Sequence, residues 1–268
     1  MIKLKEILTE APRNALENEF GRTISINKNE FEKLYSKRAM TPTHNNTIFR
    51  YIYNFTGKYG FINPKASNSP RKSAFNNTNY YTILFDNLPS WKNYPKRSES
   101  IICTNDKSNA ADRTQPAGSK HYYIVIPLQN AKIAICPEDD IWFSFNTQIL
   151  KYMGYSDNLS DFMIDVFFDA DKYNYKMSET YKSIKKYFNL IDNDSGNNLR
   201  FIKDTLLKDK LENGYNMLDI MNDILDPNKN GFELKKVTEN MILPSDSREI
   251  WTSDKCLLIR NDIFKKMK

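Results

Sequence analysis

Residues 96–104 read KRSESIICT, a polar stretch that leads directly into a short apolar run. The run is too short for a typical helix and contains two β-branched isoleucines, so it predicts a buried β-strand at residues 100–104. Four similar runs lie around it, separated by clusters of Asn, Pro, Ser and Gly, at residues 47–55, 80–85, 121–127 and 132–136. Residues 41–142 are therefore predicted to be rich in β-structure.

Helical patterns lie on both sides of this region. Residues 11 to about 40 are expected to be helical, with Asn27 or Ser25 as the N-cap of a segment whose apolar stripe is Phe31, Leu34 and Tyr35. Between residues 143 and 225, apolar side chains recur at spacings of three and four residues, in runs at 162–168, 181–191, 199–211 and 217–225. These spacings predict a block of amphipathic helices.

The chain ends in a second β-like stretch. Residues 249–259 contain two apolar runs on either side of a polar turn at residues 252–255. The sequence thus predicts an α+β fold, in which residues 11–142 form the first part of a β-rich core and residues 239–268 the last part. Residues 143–238 form a helical insertion between them, with Ser160 and Ser178 as candidate helix caps.

The composition favours a folded globular protein. The chain has 268 residues, of which 40% are hydrophobic, and its net charge of +6 comes from basic residues scattered along the chain, which names no partner. No apolar run approaches the roughly 20 residues of a membrane-spanning helix, and no secretory signal is expected. The three cysteines lack CxxC spacing and there are only two histidines, so neither a disulfide framework nor a metal site is expected.

The first ten residues, MIKLKEILTE, have a character of their own. Their apolar residues share one face of a helix, and Pro12 disfavours its continuation. The segment resembles the capsid-targeting leader of T-even-type phage internal head proteins, which docks on the prohead scaffold and is cut by the prohead protease. The resemblance implies cleavage after Glu10, packaging in the virion interior and later release into the host cytoplasm. The alternative is an ordinary first helix that packs on the core.

Three short motifs follow one another in the rest of the chain. Arg50 lies between Phe49 and Tyr51, Ser98 and Ser100 precede the apolar strand, and residue 249 is a glutamate followed by Ile and Trp. In this order the motifs resemble those of mono-ADP-ribosyltransferases of the Arg-Ser-Glu class. That class has an Arg on an early strand, a Ser-x-Ser at the start of a central strand and a Glu on a late strand.

The resemblance assigns a role to each of these residues, with NAD as the co-substrate. Arg50 would hold the NAD phosphates or the nicotinamide amide, Ser98 would orient the glutamate and the ribose, and Ser100 would support the strand. Glu249 would stabilise the positive charge that develops as the nicotinamide-ribose bond opens. The resemblance also implies a split β-sheet, in which residues 50, 98 and 249 converge on one groove, and transfer of ADP-ribose to a host macromolecule.

The stretch from residue 71 to residue 91 is a further candidate for NAD binding, because it is dense in aromatic and amide side chains. Tyr80 or Tyr81 would stack on nicotinamide, and Arg71 or Ser73 would line the same pocket. Arg38 and Arg71 are reserve candidates for the role of Arg50.

The pair of residues that directly precedes the proposed catalytic glutamate is expected to face the acceptor. They are Ser247 and Arg248. Members of the class that modify arginine usually have a Glu at the position of Ser247, so the type of acceptor residue stays open.

Two other functions compete with this interpretation. One is a non-catalytic internal head protein that binds DNA or inhibits a host defence enzyme. The other keeps the fold without transfer, which would leave an NAD glycohydrolase or an inactive NAD binder. Each motif alone also has an ordinary structural explanation: an Arg beside aromatic rings, a serine turn before a strand, or a glutamate at a sheet edge.

Overall fold

The computed structural model describes residues 17–18, 21–43, 45–52, 55–66, 79–108, 122–155, 158–199 and 202–267. They belong to two units. The first unit takes in the described parts of Met1–Arg71, Pro95–Ala134 and Leu234–Lys268, and the second takes in those of Lys72–Tyr94 and Ile135–Glu233. The first ten residues, which carry the predicted leader, lie outside the described residues.

A ten-stranded sheet forms the first unit. Among the described residues its strands are β1 (Glu17–Asn18), β2 (Gly21–Ser25), β3 (Ile48–Tyr51), β4 (Tyr59–Asn63), β5 (Ile101–Thr104), β6 (Tyr122–Pro127), β7 (Lys132–Ile135), β8 (Glu233–Lys236), β9 (Glu249–Thr252) and β10 (Cys256–Arg260). Their order across the sheet is β1-β2-β4-β10-β6-β3-β5-β9-β7-β8. The sheet is antiparallel and the chain also contains many helices, so the expected α+β class is confirmed.

Short connections force this sheet to bend. Only residues 253–255 join β9 to β10, although β5, β3 and β6 lie between these strands in the sheet. In a flat sheet the two strands would be about 19 Å apart, since neighbouring strands are spaced by about 4.8 Å. Four residues of extended chain reach at most about 14 Å. The sheet therefore folds over between β9 and β10.

The junction of β3 and β5 is a thin point of the ladder. Only Phe49 and Thr104 face each other there, whereas four pairs of residues face each other across β3 and β6 and four across β5 and β9. The sheet is thus one hydrogen-bonded ladder with two halves. The first half consists of strands β1, β2, β4, β10, β6 and β3, and the second half consists of strands β5, β9, β7 and β8.

The outer face of the first half is covered by a short helix, α1 (Lys28–Tyr35). Asn27 caps this helix as predicted, because its side chain accepts from the N–H of Glu30 at 2.9 Å and the Glu30 carboxylate accepts from the N–H of Asn27 at 3.0 Å. The buried residues packed at this face are Ile26, Phe31, Leu34, Phe61, Ile124, Ile126, Leu257 and Ile259. Burial of this apolar surface holds the helix on the sheet.

The second unit is helical. Its helices are α2 (Tyr80–Asn87), α3 (Asn146–Met153), α4 (Leu159–Phe168), α5 (Tyr181–Asn193), α6 (Leu206–Glu212) and α7 (Met217–Ile224). The helices expected at 162–168, 181–191 and 217–225 are confirmed, and the one expected at 199–211 begins only at Leu206. The caps are Asn158 and Thr180, so the prediction of Ser160 and Ser178 was wrong by two residues in each case.

Two other expectations were wrong. Residues 17–18 and 21–25 form strands instead of a helix, and residues 80–87 form a helix instead of a strand. The two β-like runs at the end of the chain are confirmed as β9 and β10 on either side of the turn, and β9 pairs with β5 while β10 pairs with β4 and β6. The second unit takes in the described parts of Lys72–Tyr94 and Ile135–Glu233, and it therefore includes α2.

The last helix, α8 (Asn261–Phe264), follows β10 directly. In the part of the chain that is described, no helix combines the length and the apolar character needed to cross a membrane.

Candidate functional site

A buried ion pair joins two of the predicted motifs. Arg97 Nη1 lies 2.7 Å from Glu249 Oε1, and the two side chains are only 3% and 11% exposed. The guanidinium carbon of Arg97 also lies 5.3 Å from the centre of the Trp251 ring. The indole N–H of Trp251 donates to the carbonyl of Pro95 at 2.9 Å. The turn before β5 is therefore fastened to β9 at three points.

Local geometry explains how Arg97 reaches the glutamate. Residues 97–99 form a 3₁₀ turn, which the Ser100 hydroxyl closes by donating to the carbonyl of Lys96 at 2.6 Å. Strands β5 and β9 pair so that Thr104 faces Glu249. Because alternate residues of a strand share a face, Glu249 and Trp251 lie on the same side of the sheet. The Arg97 side chain crosses the indole to the carboxylate.

Arg50 lies on the other face of the sheet. Phe49 is directly opposite Thr104 on the neighbouring strand, and Thr104 is directly opposite Glu249 on the next one. These three side chains therefore project from the same side of the sheet. Arg50 is the next residue after Phe49 and therefore projects to the opposite face. The expectation that Arg50 converges with Glu249 is wrong, because the two side chains project from opposite faces of the sheet. A difference of one residue in strand register is enough to place a side chain on the opposite face.

The face that carries Arg50 also carries two buried cysteines, Cys103 and Cys256. Burial raises the pKa of Cys103 to about 12; nearby Arg50 lowers it by less, and Glu249 adds a smaller increase. Burial raises the pKa of Cys256, and its interaction with Cys103 raises it further. Cys103 belongs to the second half of the sheet and Cys256 to the first, so this face lies between the halves.

A groove of about 660 Å³ lies where β3 and β9 begin and β5 ends. It is lined by Asn45, Thr47 and Phe49 and by residues 105–107 and 242–247. Phe49 shares its cross-strand row with Thr104 and Glu249. The groove thus runs along the strand ends beside this row, and its lining stops at Ser247, two residues before Glu249.

Asn105 fixes the wall of this groove. Its side-chain N–H₂ donates to the carbonyls of Pro244 and Asp246, at 2.7 and 2.8 Å. Its side-chain oxygen accepts from the N–H of Arg248 at 2.6 Å. One amide side chain therefore holds the turn at residues 244–248 by three hydrogen bonds, and Glu249 follows that turn directly.

The other predicted site residues on the sheet unit lie as follows. Ser98 is half-buried in the 3₁₀ turn beside Arg97, and buried Ser100 supports the start of the strand. Ser247 lines the groove, and the Arg248 guanidinium pairs with the Asp246 carboxylate. The reserve candidate Arg38 donates to Thr41 and to the carbonyl of Tyr35.

The aromatic candidates belong to the core of the helical unit. Tyr80 and Tyr81 are 7% and 2% exposed. The Tyr80 ring centre lies 4.3 Å from that of Phe167, and the Tyr81 ring centre lies 4.7 Å from that of Trp142. Neither ring is available to stack on nicotinamide, so that prediction is corrected. Arg71 and Ser73 lie outside the described residues.

Sequence reasoning missed Arg97 and Asn105. Arg97 is next to Ser98 in the quoted motif, but its partner Glu249 lies 152 residues further along the chain. Asn105 directly follows β5, and the only local signal was a polar residue at the end of a predicted strand. Both roles depend on long-range pairing of β5 with β9.

No protein-family model, curated protein or solved structure matches this chain. The functional interpretation therefore depends on the geometry of the site. In the described parts of the chain, no group of three or more His, Cys, Asp or Glu side chains is arranged to hold a metal ion.

Cys103 and Cys256 are expected to resist thiol reagents in the native protein. A rise of the Cys103 pKa from 9.0 to about 12 lowers its thiolate fraction at pH 8 roughly a thousandfold. Native protein treated with dithionitrobenzoate should therefore leave both residues unmodified, as read by peptide mass spectrometry, while protein in concentrated guanidinium is labelled at all three cysteines. Rapid native labelling of Cys103 that levels off near pH 9 would contradict the burial of this face.

Proposed function

We propose that the chain is an NAD-dependent mono-ADP-ribosyltransferase that acts on a macromolecule. The observation that carries the proposal is the 2.7 Å contact between Arg97 and Glu249. It brings the turn that contains Ser98 against the glutamate expected to stabilise the ribosyl cation. The resemblance to the Arg-Ser-Glu class requires that the turn with the serine motif lie against the catalytic glutamate.

The order of strands supports the proposal further. The strands that carry the Arg50, Ser98 and Glu249 motifs are β3, β5 and β9, and they are consecutive neighbours in the sheet. A single facing pair joins β3 to β5, which agrees with the split sheet that the resemblance implies. The arginine beside Glu249 is Arg97 instead of the expected Arg50, and we assign to it the orientation of the carboxylate instead of the binding of NAD.

Each residue of the revised site has a chemical task. When the nicotinamide-ribose bond breaks, its electron pair leaves with the nicotinamide nitrogen and the ribose becomes positively charged. Glu249 would stabilise that charge, because a carboxylate oriented in a largely water-free setting acts strongly on a developing cation. Arg97 would keep the carboxylate oriented through its charge-assisted hydrogen bond. The acceptor nucleophile then bonds to the ribose carbon and loses its proton.

The groove supplies a binding surface of suitable size. Its volume of about 660 Å³ lies within the range of small-molecule sites, roughly 300–1,000 Å³. Phe49 and the 70% exposed Ile242 offer apolar surface to a ring, and Lys107 offers a cation to a phosphate. Ser247 on the same wall would face the acceptor.

Delivery in a virion belongs to the same proposal. The leader-like residues 1–10 are the support for it, and a basic net charge of +6 is compatible with packaging beside DNA. The mature protein would then act in the host cytoplasm on a host macromolecule.

Incubation with labelled NAD and host lysate tests the catalytic proposal. The wild-type chain should transfer label to a macromolecule, and Glu249→Gln should reduce transfer about 10²- to 10³-fold, because one group that stabilises the transition state is lost. The amide oxygen introduced by this substitution can still accept from Arg97, but the buried guanidinium loses its counter-charge, so transfer is compared per folded protein. Lys182→Gln, at an exposed position of α5, is the control and should stay within about threefold of wild type.

Three outcomes would contradict transfer by Glu249. Label transfer that survives Glu249→Gln would remove the catalytic assignment. Release of nicotinamide without labelled acceptor would indicate an NAD glycohydrolase. A chain that leaves NAD intact and binds DNA in a salt-dependent manner would be the non-catalytic internal head protein.

The leader has its own test. N-terminal sequencing of the protein recovered from virions should begin at Ala11, since cleavage is expected after Glu10. A protein that begins at Met1 in the virion would contradict the leader, and leave the catalytic proposal unaffected.

A further inference from the structure

A second cavity lies at the far end of β9 from the groove. Its volume is about 460 Å³, and it is lined by three loops and by the segment after α1. The loops follow β4, join β6 to β7, and join β9 to β10. The groove lies before Glu249 and this cavity lies after Thr252, so the two are at opposite ends of the strand.

The lining of the cavity is rich in groups that recognise anions. Its lining residues include three lysines, Lys37, Lys65 and Lys255, and a single acidic residue, Asp254, which gives a formal net charge of +2. It also contains three amide side chains and one hydroxyl, from Asn63, Gln129, Asn130 and Ser253. All of these except the carboxylate can donate hydrogen bonds.

The carboxylate of Asp254 is already used by the protein. Its Oδ1 lies 3.3 Å from Lys65 Nζ, and its Oδ2 accepts from the N–H of Lys132 at 2.9 Å. The N–H of Asp254 donates to the Thr252 hydroxyl at 3.1 Å. Asp254 therefore organises the turn after β9, and Lys37 and Lys255 supply the remaining positive charge.

Backbone hydrogen bonds hold these two lysines on either side of one turn. The carbonyl of Lys37 accepts from the N–H of Gln129 at 2.9 Å, and the carbonyl of Lys255 accepts from the N–H of Leu128 at 3.1 Å. Asn130 completes the turn in the left-handed region, with φ of 68°. The backbones of Lys37 and Lys255 are thus hydrogen-bonded to consecutive residues of the same turn.

We propose that this cavity binds a phosphate group. A net charge of +2 matches a phosphate dianion, and lysines combined with amide and hydroxyl donors suit an anion with several acceptor oxygens. Two sources share this chemistry: a free phosphate and the phosphodiester backbone of a nucleic acid. The inference is independent of the NAD reaction, because none of the cavity's residues belongs to the groove or to the Arg97–Glu249 pair.

Titration of ¹⁵N-labelled full-length protein tests the site. Sodium phosphate, added at constant ionic strength, should shift the amide signals of Gln129 and Asn130 and saturate. A single-stranded oligothymidylate in a parallel titration separates the two sources. Tighter binding that increases with oligonucleotide length indicates a phosphodiester backbone, and equal or weaker binding indicates a free phosphate.

Matched charge variants decide whether the cavity is the site. Lys37→Gln/Lys255→Gln should weaken binding of the better probe at least fivefold, and Lys37→Arg/Lys255→Arg should retain it. Lys182→Gln/Lys186→Gln removes the same charge from two exposed positions of α5 and should stay within twofold of wild type. If both glutamine variants weaken binding equally, or if neither probe shifts the two amides, the proposal is wrong.

Discussion

A buried ion pair between Arg97 and Glu249 is the interaction on which the candidate site depends. Removing two charges from water costs several kcal/mol for each ion, and only close, well-oriented pairing offsets that cost. The 2.7 Å contact provides such pairing, and the Trp251 ring covers the guanidinium. The turn before β5 and the start of β9 must therefore come together for either charge to be buried.

The second constraint is the length of the loops. The connections from β6 to β7 and from β9 to β10 are too short for a flat sheet with three strands between their ends. The ladder bends, and only one facing pair, Phe49 and Thr104, joins β3 to β5. One face then lies between the two halves and the other faces outward. This division separates Arg50 from Glu249, and it leaves Arg97 as the arginine that reaches the carboxylate.

Local patterns predicted much of the sheet. The strands at β3, β5, β6, β7, β9 and β10 follow from short apolar runs between turn-forming residues, and the Asn27 cap follows from its side-chain chemistry. Residues 80–87 were misread because aromatic and β-branched residues favour strands, while here helical packing of Tyr80 on Phe167 decides the structure. Tertiary contacts overrode local propensity at that point.

The site was only partly predictable for a related reason. Glu249 and the serine turn are visible as motifs, but the choice between Arg50 and Arg97 depends on which face each side chain takes. That choice changes with a shift of one residue in strand register, and no local pattern fixes it. A contact across 152 residues of sequence becomes visible only when β5 and β9 are paired.

A double-mutant cycle on the ion pair tests the account most directly. Urea unfolding would compare wild type with Arg97→Met, Glu249→Met and the double variant. Each single change should lower the free energy of unfolding by about 3–5 kcal/mol, because it leaves the partner charge buried. The loss in the double variant should be smaller than the sum of the two single losses, by at least about 2 kcal/mol. Additive losses, with no coupling between positions 97 and 249, would contradict the buried pair and the site built on it.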